Sequence, residues 1–415
     1  MKNALNINQN ISIGLLLIIF SCEDPNYPND VWDEEDIGNA TPIVTGVVPA
    51  DGAFAGIDTI IISGQYFSLS FSENLVYFNG MLGNVVNATS TALSVVPPNL
   101  VSDSVTVKVA VQGAFVFGEL DGFYRLTAAV QEYGPFDQFT DIYSLDLDLS
   151  ENLYVSMDGS PNAEFWMVNS DGDSSVWSGA LAKGAGMKIG PTGSIYYVNF
   201  QRYLYKDEQN TPKENTEIFK RLNGNATDLD FDANGNLFVG GTGSVIDVVN
   251  IYDEGGITSG VTEVKDLGDL NVVNLRVYGD HVYILTSNTT SEKVIYRLPI
   301  LDTAGTLGDL EVVYDWSVNI IDATALCFTL TSSGDLLIGS DSETDPLVLV
   351  KDGVASGFYS SVLVPPISYM AWGNAEFLYL INKTDETNRV QKIDTRMDGA
   401  FRWRFISMVW RVGQG

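Results

Sequence analysis

Hydrophobic positions along the chain fall into short alternating runs separated by Gly, Asn and Asp. The clearest is Asp228-Leu-Asp-Phe-Asp-Ala-Asn-Gly-Asn-Leu-Phe-Val239. Leu229 and Phe231 alternate with acids, as in a half-buried strand. Asn234-Gly235 supplies a tight turn because both residues tolerate positive φ. Leu237, Phe238 and Val239 then resume an apolar β run. Five further stretches share the pattern: Tyr143–Val155, Met187–Val198, Leu275–Ile284, Leu326–Ile338 and Tyr369–Leu380. The first apolar residues after the turns are Leu153, Ile195, Leu237, Val282, Leu336 and Phe377, spaced by 42, 42, 45, 54 and 41 residues. A period in the forties made of short strands predicts propeller blades.

Each unit supplies further strands. The third strand is predicted at Glu164–Val168, Tyr203–Tyr205, Val245–Val249, Val294–Leu298, Leu347–Val350 and Val390–Ile393. An outer strand is predicted at Val176-Trp177, Ile218–Leu222, Thr262–Val264, Leu310–Tyr314 and Phe358-Tyr359. Six four-stranded blades over 128–415 account for the region, and closure into a ring protects sheet edges. The tail Phe401–Val412 alternates aromatic and basic residues and is expected to complete a blade against 128–140, or else to touch a membrane or partner. The Asp-x-x-Gly-Asn-Leu-Phe-Val form resembles six-bladed propellers of the NHL, regucalcin and lactonase-like families, which implies a fold more than an activity.

Residues 41–127 read as a small β-sandwich. The words are Pro42-Ile-Val-Thr-Gly-Val-Val-Pro49, Thr59-Ile-Ile-Ile-Ser-Gly-Gln-Tyr-Phe67, Asn74-Leu-Val-Tyr-Phe-Asn-Gly80, Ala92-Leu-Ser-Val-Val-Pro97 and Val105-Thr-Val-Lys-Val-Ala-Val111. Strands of this length between Gly, Asn and Pro signals suggest an immunoglobulin-like sandwich. Their order and spacing resemble the IPT/TIG domain, which implies a spacer or binding module rather than a catalyst. The fold class expected for the chain is therefore all-β, an Ig-like sandwich followed by a six-bladed propeller.

The N-terminus adds location. Lys2 and the apolar run Ile11–Phe20 form a leader too short to span a bilayer comfortably. Ile19-Phe20-Ser21-Cys22 resembles the lipobox of bacterial lipoproteins, with Phe20 a departure; an ordinary signal peptide is the alternative. The resemblance implies a leader over 1–21 and lipidation of Cys22. Residues 22–40 then form an acidic tether with seven acids, no bases and two prolines. Acid directly after such a cysteine resembles the surface-export signal of Bacteroidota lipoproteins. The expected partners are the outer membrane, through the lipid, and a glycan or an outer-membrane protein. The net charge of −31 argues against nucleic acid, which needs a basic face.

The chemistry is sparse. His281 is the only histidine of the chain, so a multi-histidine zinc site is excluded. Cys327 lies in Ala-Leu-Cys-Phe-Thr-Leu and is expected to pack as a small hydrophobe. Asp230-x-Asp232-x-Asn234-Gly235 matches the opening of a calcium loop, but Gly241 stands where its last ligand belongs, so a hairpin turn is expected. By register, one channel mouth holds Asp158, Asn199, Arg202, Asp228, Thr242, Asn288, Asp322, Asp341 and Asn382. A calcium-dependent hydrolase or lyase of the lactonase-like type would draw its metal ligands from Asp158, Asp228, Asp322 and Asp341. Otherwise no cofactor and no catalytic residue is expected. Trp316, Trp166, Trp177, Trp372, Tyr203 and Tyr359, with Asn199 and Arg202, are the candidate ligand contacts. A binding protein is the leading expectation and the metal enzyme its rival.

Overall fold

The computed structural model describes residues 38–158, 163–320, 322–384 and 388–400. The leader, Cys22, most of the acidic tether and the 401–412 tail lie outside the described residues.

The first unit is a two-sheet sandwich. Its larger sheet has seven strands in the order Ile43–Val48, Ile60–Gln65, Ala92–Val96, Met81–Ala88, Asn74–Phe78, Val107–Val111, Gly118–Glu119. The smaller joins Ala53–Phe54, Tyr124–Thr127 and Ser102–Val105. Alternation sets the core: Ile60, Ile62, Val76, Phe78, Leu93, Val95, Val107 and Val109 are fully buried, while Ile61, Leu75 and Leu82 face out.

Six four-stranded antiparallel sheets follow. Their innermost strands are Ile142–Leu147, Gly186–Ile189, Asp228–Phe231, Asn271–Tyr278, Ala325–Leu330 and Ile367–Trp372, here blades 1 to 6. Outer strands match expectation in blades 1 to 4. In blade 5 the fourth strand is Val354–Gly357, just before the expected Phe358-Tyr359. In blade 6 it comes from before blade 1: Val130–Glu132 pairs with Asn388–Asp394, locking the ring.

The sandwich rests on blades 5 and 6. Arg396 makes a fork to Asp58, at 2.7 and 2.9 Å, and its guanidinium lies 3.8 Å from the Phe54 ring centroid. Ser361 Oγ donates to the Gly56 carbonyl at 2.5 Å. No helix among the described residues is long and apolar enough to cross a membrane.

Candidate functional site

The inner strands of a propeller present one unpaired edge to the channel, and their N–H groups need acceptors. Here four of them are met by side chains of the neighbouring blade. Asp146 of blade 1 accepts Ile189 N of blade 2 at 2.9 Å. Asp228 and Asp230 of blade 3 accept Leu275 N and Val277 N of blade 4, each at 2.9 Å. Asn274 of blade 4 accepts Phe328 N of blade 5 at 2.9 Å. The hairpin-turn spacing includes Asp230, yet Asp230, like Asp228, points inward to the next blade. Asp232 alone serves the turn: its carboxylate accepts Asn234 N, Asn236 N and Asn236 Nδ2 at 2.8–2.9 Å, with Gly235 at φ 84°. With that carboxylate committed to its own turn, the calcium-like spacing is a hairpin.

Asp228 ties blade 3 to blades 4 and 6. One of its oxygens also accepts Asn274 Nδ2 at 2.5 Å and Arg276 Nη1 at 2.7 Å, and the other accepts the Tyr369 hydroxyl at 3.1 Å. Arg276 Nη2 donates to the Met370 carbonyl at 3.0 Å. Gly186 passes so near that a Cβ there would lie 2.6 Å from the Asp228 carboxylate. All of these side chains are buried. Burial works against the Arg276 charge, yet Asp228 holds its pKa above the ordinary value. Burial likewise pushes the Tyr369 hydroxyl well up, and the thiol of buried Cys327 up to about 12.

Beside this lock, at the mouth where the inner hairpins turn, lies a cavity of about 330 Å³. Asp146, Asp148, Lys188, Asp230 and Arg276 supply its charged lining, and Leu149, Phe231, Val277 and Trp372 are among its apolar walls. Lys188 Nζ stands 3.8 Å from Asp146, a loose ion pair that leaves ammonium hydrogens for other acceptors. Asp230 is half-buried and borders the cavity. Its enclosure by protein pushes its carboxyl above the usual range, against the pull of Lys188 and Arg276. Donors and acceptors thus share one lining, an arrangement suited to a hydroxyl-rich ligand.

The candidate residues from sequence sit mostly elsewhere. Only Trp372 and Asp228 reach the cavity or the lock. Trp372 is buried, donates to the Leu330 carbonyl at 2.7 Å, has Gly399 pressed against its indole and borders the cavity. Trp316 is buried in the core shared by blades 4 and 5, with Nε1 on the Ala323 carbonyl at 2.7 Å. Trp177 packs edge-on to Tyr154, and half-buried Trp166 donates to Glu164 at 2.9 Å. Tyr203 leans on Tyr205; Tyr359 stacks on Phe358 and donates to the Asp394 carbonyl. These large rings are used for packing, each polar tip finding a partner where buried. Asn199 is half-buried and Arg202 exposed, in the loop after the second strand of blade 2.

The four aspartates proposed as metal ligands do not meet. Asp322 and Asp341 are exposed on blade 5, Asp341 accepting Thr324 N at 2.6 Å. Asp228 is spent on Arg276. Asp158 joins Lys183 at 2.5 Å and Tyr143 at 3.2 Å, in a cluster with Asp141 and Lys383 that ties blades 1, 2 and 6. Burial, with Asp141 alongside, pushes the Tyr143 hydroxyl up to about 12. Among the described residues no three Asp, Glu, His or Cys side chains form a metal-holding group. His281 lies at the surface, its Nδ1 2.6 Å from Asp280. Sequence missed the cavity because its lining joins inner-strand positions of separate blades. Lys188 and Arg276, basic residues inside inner strands of an acidic chain, were the available signal.

Residues 42–123 match the family model described as the IPT/TIG domain. No curated protein matches the chain. Among solved structures, the chain is similar to one from Bacteroides thetaiotaomicron whose description proposes a phosphatase, at 12% identity and a TM-score of 0.58, covering 86% of this chain and 98% of that one. A Bacteroides thetaiotaomicron protein of unknown function gives 13%, 0.50, 86% and 98%. An auxiliary nutrient binding protein from Bacteroides ovatus gives 13%, 0.47, 85% and 98%. Identities this low show the fold alone. The chain is an IPT/TIG domain followed by a six-bladed β-propeller.

Proposed function

We propose that the protein is a lipid-anchored binding protein of the cell surface, whose propeller takes a short glycan segment into the cavity at the hairpin-turn mouth. The cavity carries the reading. Its volume lies near the lower end of the roughly 300–1,000 Å³ typical of small-molecule sites, which favours a sugar over a protein loop. Its lining offers ammonium donors from Lys188 and a carboxyl acceptor from Asp230 between apolar walls. The lock under Asp228 holds Arg276 in place, so the site is preorganised. The lipobox-like Ile19–Cys22 and the acidic stretch after it support anchoring at the surface.

A glycan array probed with the full chain tests the ligand. Hits are expected to weaken at least tenfold in Lys188→Met and in Asp230→Asn. Binding that is unchanged in both variants rejects the cavity as the site. Mass spectrometry of the native chain tests the anchor: acyl chains on Cys22 are expected, and an unmodified Cys22 defeats that part.

A further inference from the structure

The sandwich has two poles. At one, Phe54, Gly56 and Asp58 meet the propeller. Strand Ile60–Gln65 runs away from this pole for about 20 Å at strand rise. At its far end lie two loops, 66–73 and 112–117. They are joined by Gln112 N donating to the Glu73 carbonyl at 2.9 Å. The chain enters the domain at this same pole: Asn39 N donates to the Gly113 carbonyl at 2.7 Å, and Asn39 Nδ2 to the Gln112 carbonyl at 2.9 Å.

These loops hold apolar side chains out in solvent. Leu69 is 77% exposed, Val116 59%, Phe71 57% and Tyr66 52%. Their outward pose is fixed from below. Asn74 is buried; its Oδ1 accepts Ser68 N at 3.0 Å, and its Nδ2 donates to the Ser68 and Ser70 carbonyls at 2.9 and 2.7 Å. A buried amide with three local bonds makes a rigid turn that presents Leu69 and Phe71. The two loops contain one charged residue, Glu73, and no Lys or Arg.

We propose that this pole rests on the lipid bilayer, with Leu69, Phe71 and Val116 dipping into the interface beside Tyr66. The proposal rests on the reading of Cys22 as the lipid anchor. Cys22 precedes Gly38 by sixteen residues, so the pole stays within about 55 Å of the lipid even at full extension. Tether entry and apolar loops share one pole, and the propeller occupies the other. Docking therefore turns the propeller away from the membrane. With no basic residue in the loops, the attraction is apolar and needs no anionic lipid.

The test uses the full chain carrying Cys22→Ser, which has no lipid, and phosphatidylcholine vesicles. It is expected to co-sediment with them, with no gain from added phosphatidylglycerol. Leu69→Ser/Phe71→Ser/Val116→Ser in that background is expected to lower partition at least tenfold. Phe71→Trp keeps the surface apolar, so it is expected to retain binding and to be quenched by brominated lipid, a check that does not depend on the triple variant folding. Failure of the Cys22→Ser chain to co-sediment, equal partition of the triple variant, or absence of quenching overturns the proposal. So does a vesicle-independent dimer that the triple variant dissociates, which would make the surface a self-association face. Mass spectrometry of the native chain reports separately on lipidation: an unmodified Cys22 removes the anchor reading and leaves the vesicle result standing on its own.

Discussion

Asp228→Ala offers the sharpest test of the axial lock. The substitution removes the acceptor of four hydrogen bonds, from Asn274, Leu275, Arg276 and Tyr369. The Arg276 guanidinium, with 6% of its side chain exposed, then keeps hydrogen bonds only to the Leu275 and Met370 carbonyls, beside the weaker pull of Asp230. Removing one partner of a buried ion pair costs about 3–5 kcal/mol, because the other charge is left uncompensated. For a propeller of this size that corresponds to a fall in Tm on the order of 10 °C. Arg276→Met is expected to cost a similar amount by stranding Asp228. The double variant Asp228→Ala/Arg276→Met strands neither charge and is expected to cost no more than either single change. Urea unfolding followed by tryptophan fluorescence, beside a thermal melt, supplies all corners of the cycle. The reasoning is refuted if Asp228→Ala costs under about 1 kcal/mol, or if the double variant loses the sum of the two singles.

Three further outcomes follow from the same geometry. Asp207 is buried in blade 2 with no well-formed hydrogen bond to either oxygen, although Tyr197 and Thr216 lie near enough to moderate its shift; burial raises its pKa to about 6. Its folded pKa exceeds the ordinary carboxyl value of 3.8, so the folded state holds the extra proton between these values and stability falls as pH rises through that window. Asp207→Asn is expected to flatten that slope and to stabilise the protein at pH 7 by up to about 3 kcal/mol, and a slope unchanged in pH-dependent urea melts would contradict this. Trp316→Ala is expected to cost about 3–5 kcal/mol through the cavity it leaves, without changing the affinity of any glycan bound by the wild type; a selective loss of binding would restore it as a ligand contact. Arg396→Ala breaks a largely exposed fork and is expected to cost under about 1 kcal/mol while loosening the sandwich from the propeller, read as an increased radius of gyration by small-angle scattering.

The propeller was legible because its signal is local and repeated. Turn residues such as Asn234-Gly235 and the apolar runs after them recur in every blade, and the sandwich words keep their order along one stretch of chain. The cavity is built otherwise. Asp146, Lys188, Asp230 and Arg276 come from four blades and meet only when the ring closes, so no single window of sequence contains the site. Local reading also misjudged direction. Asp228, Asp230 and Asp232 look alike in a row of acids, yet one locks the axis, one borders the cavity and one caps its own turn. The aromatic candidates illustrate a related point: size and hydrophobicity mark a residue for packing as readily as for ligand, and of the six only Trp372 borders the cavity. The expected metal ligands were assigned to the mouth where the inner strands begin, whereas the cavity opens where they end.

A crystal structure of the full chain soaked with the strongest glycan from the array tests the central claim most directly. The account predicts sugar density in the hairpin-turn cavity, with hydroxyls within hydrogen-bond distance of Lys188 Nζ and the Asp230 carboxyl. Density at the opposite mouth beside Tyr143, or on the outer strands with the cavity empty, would contradict it.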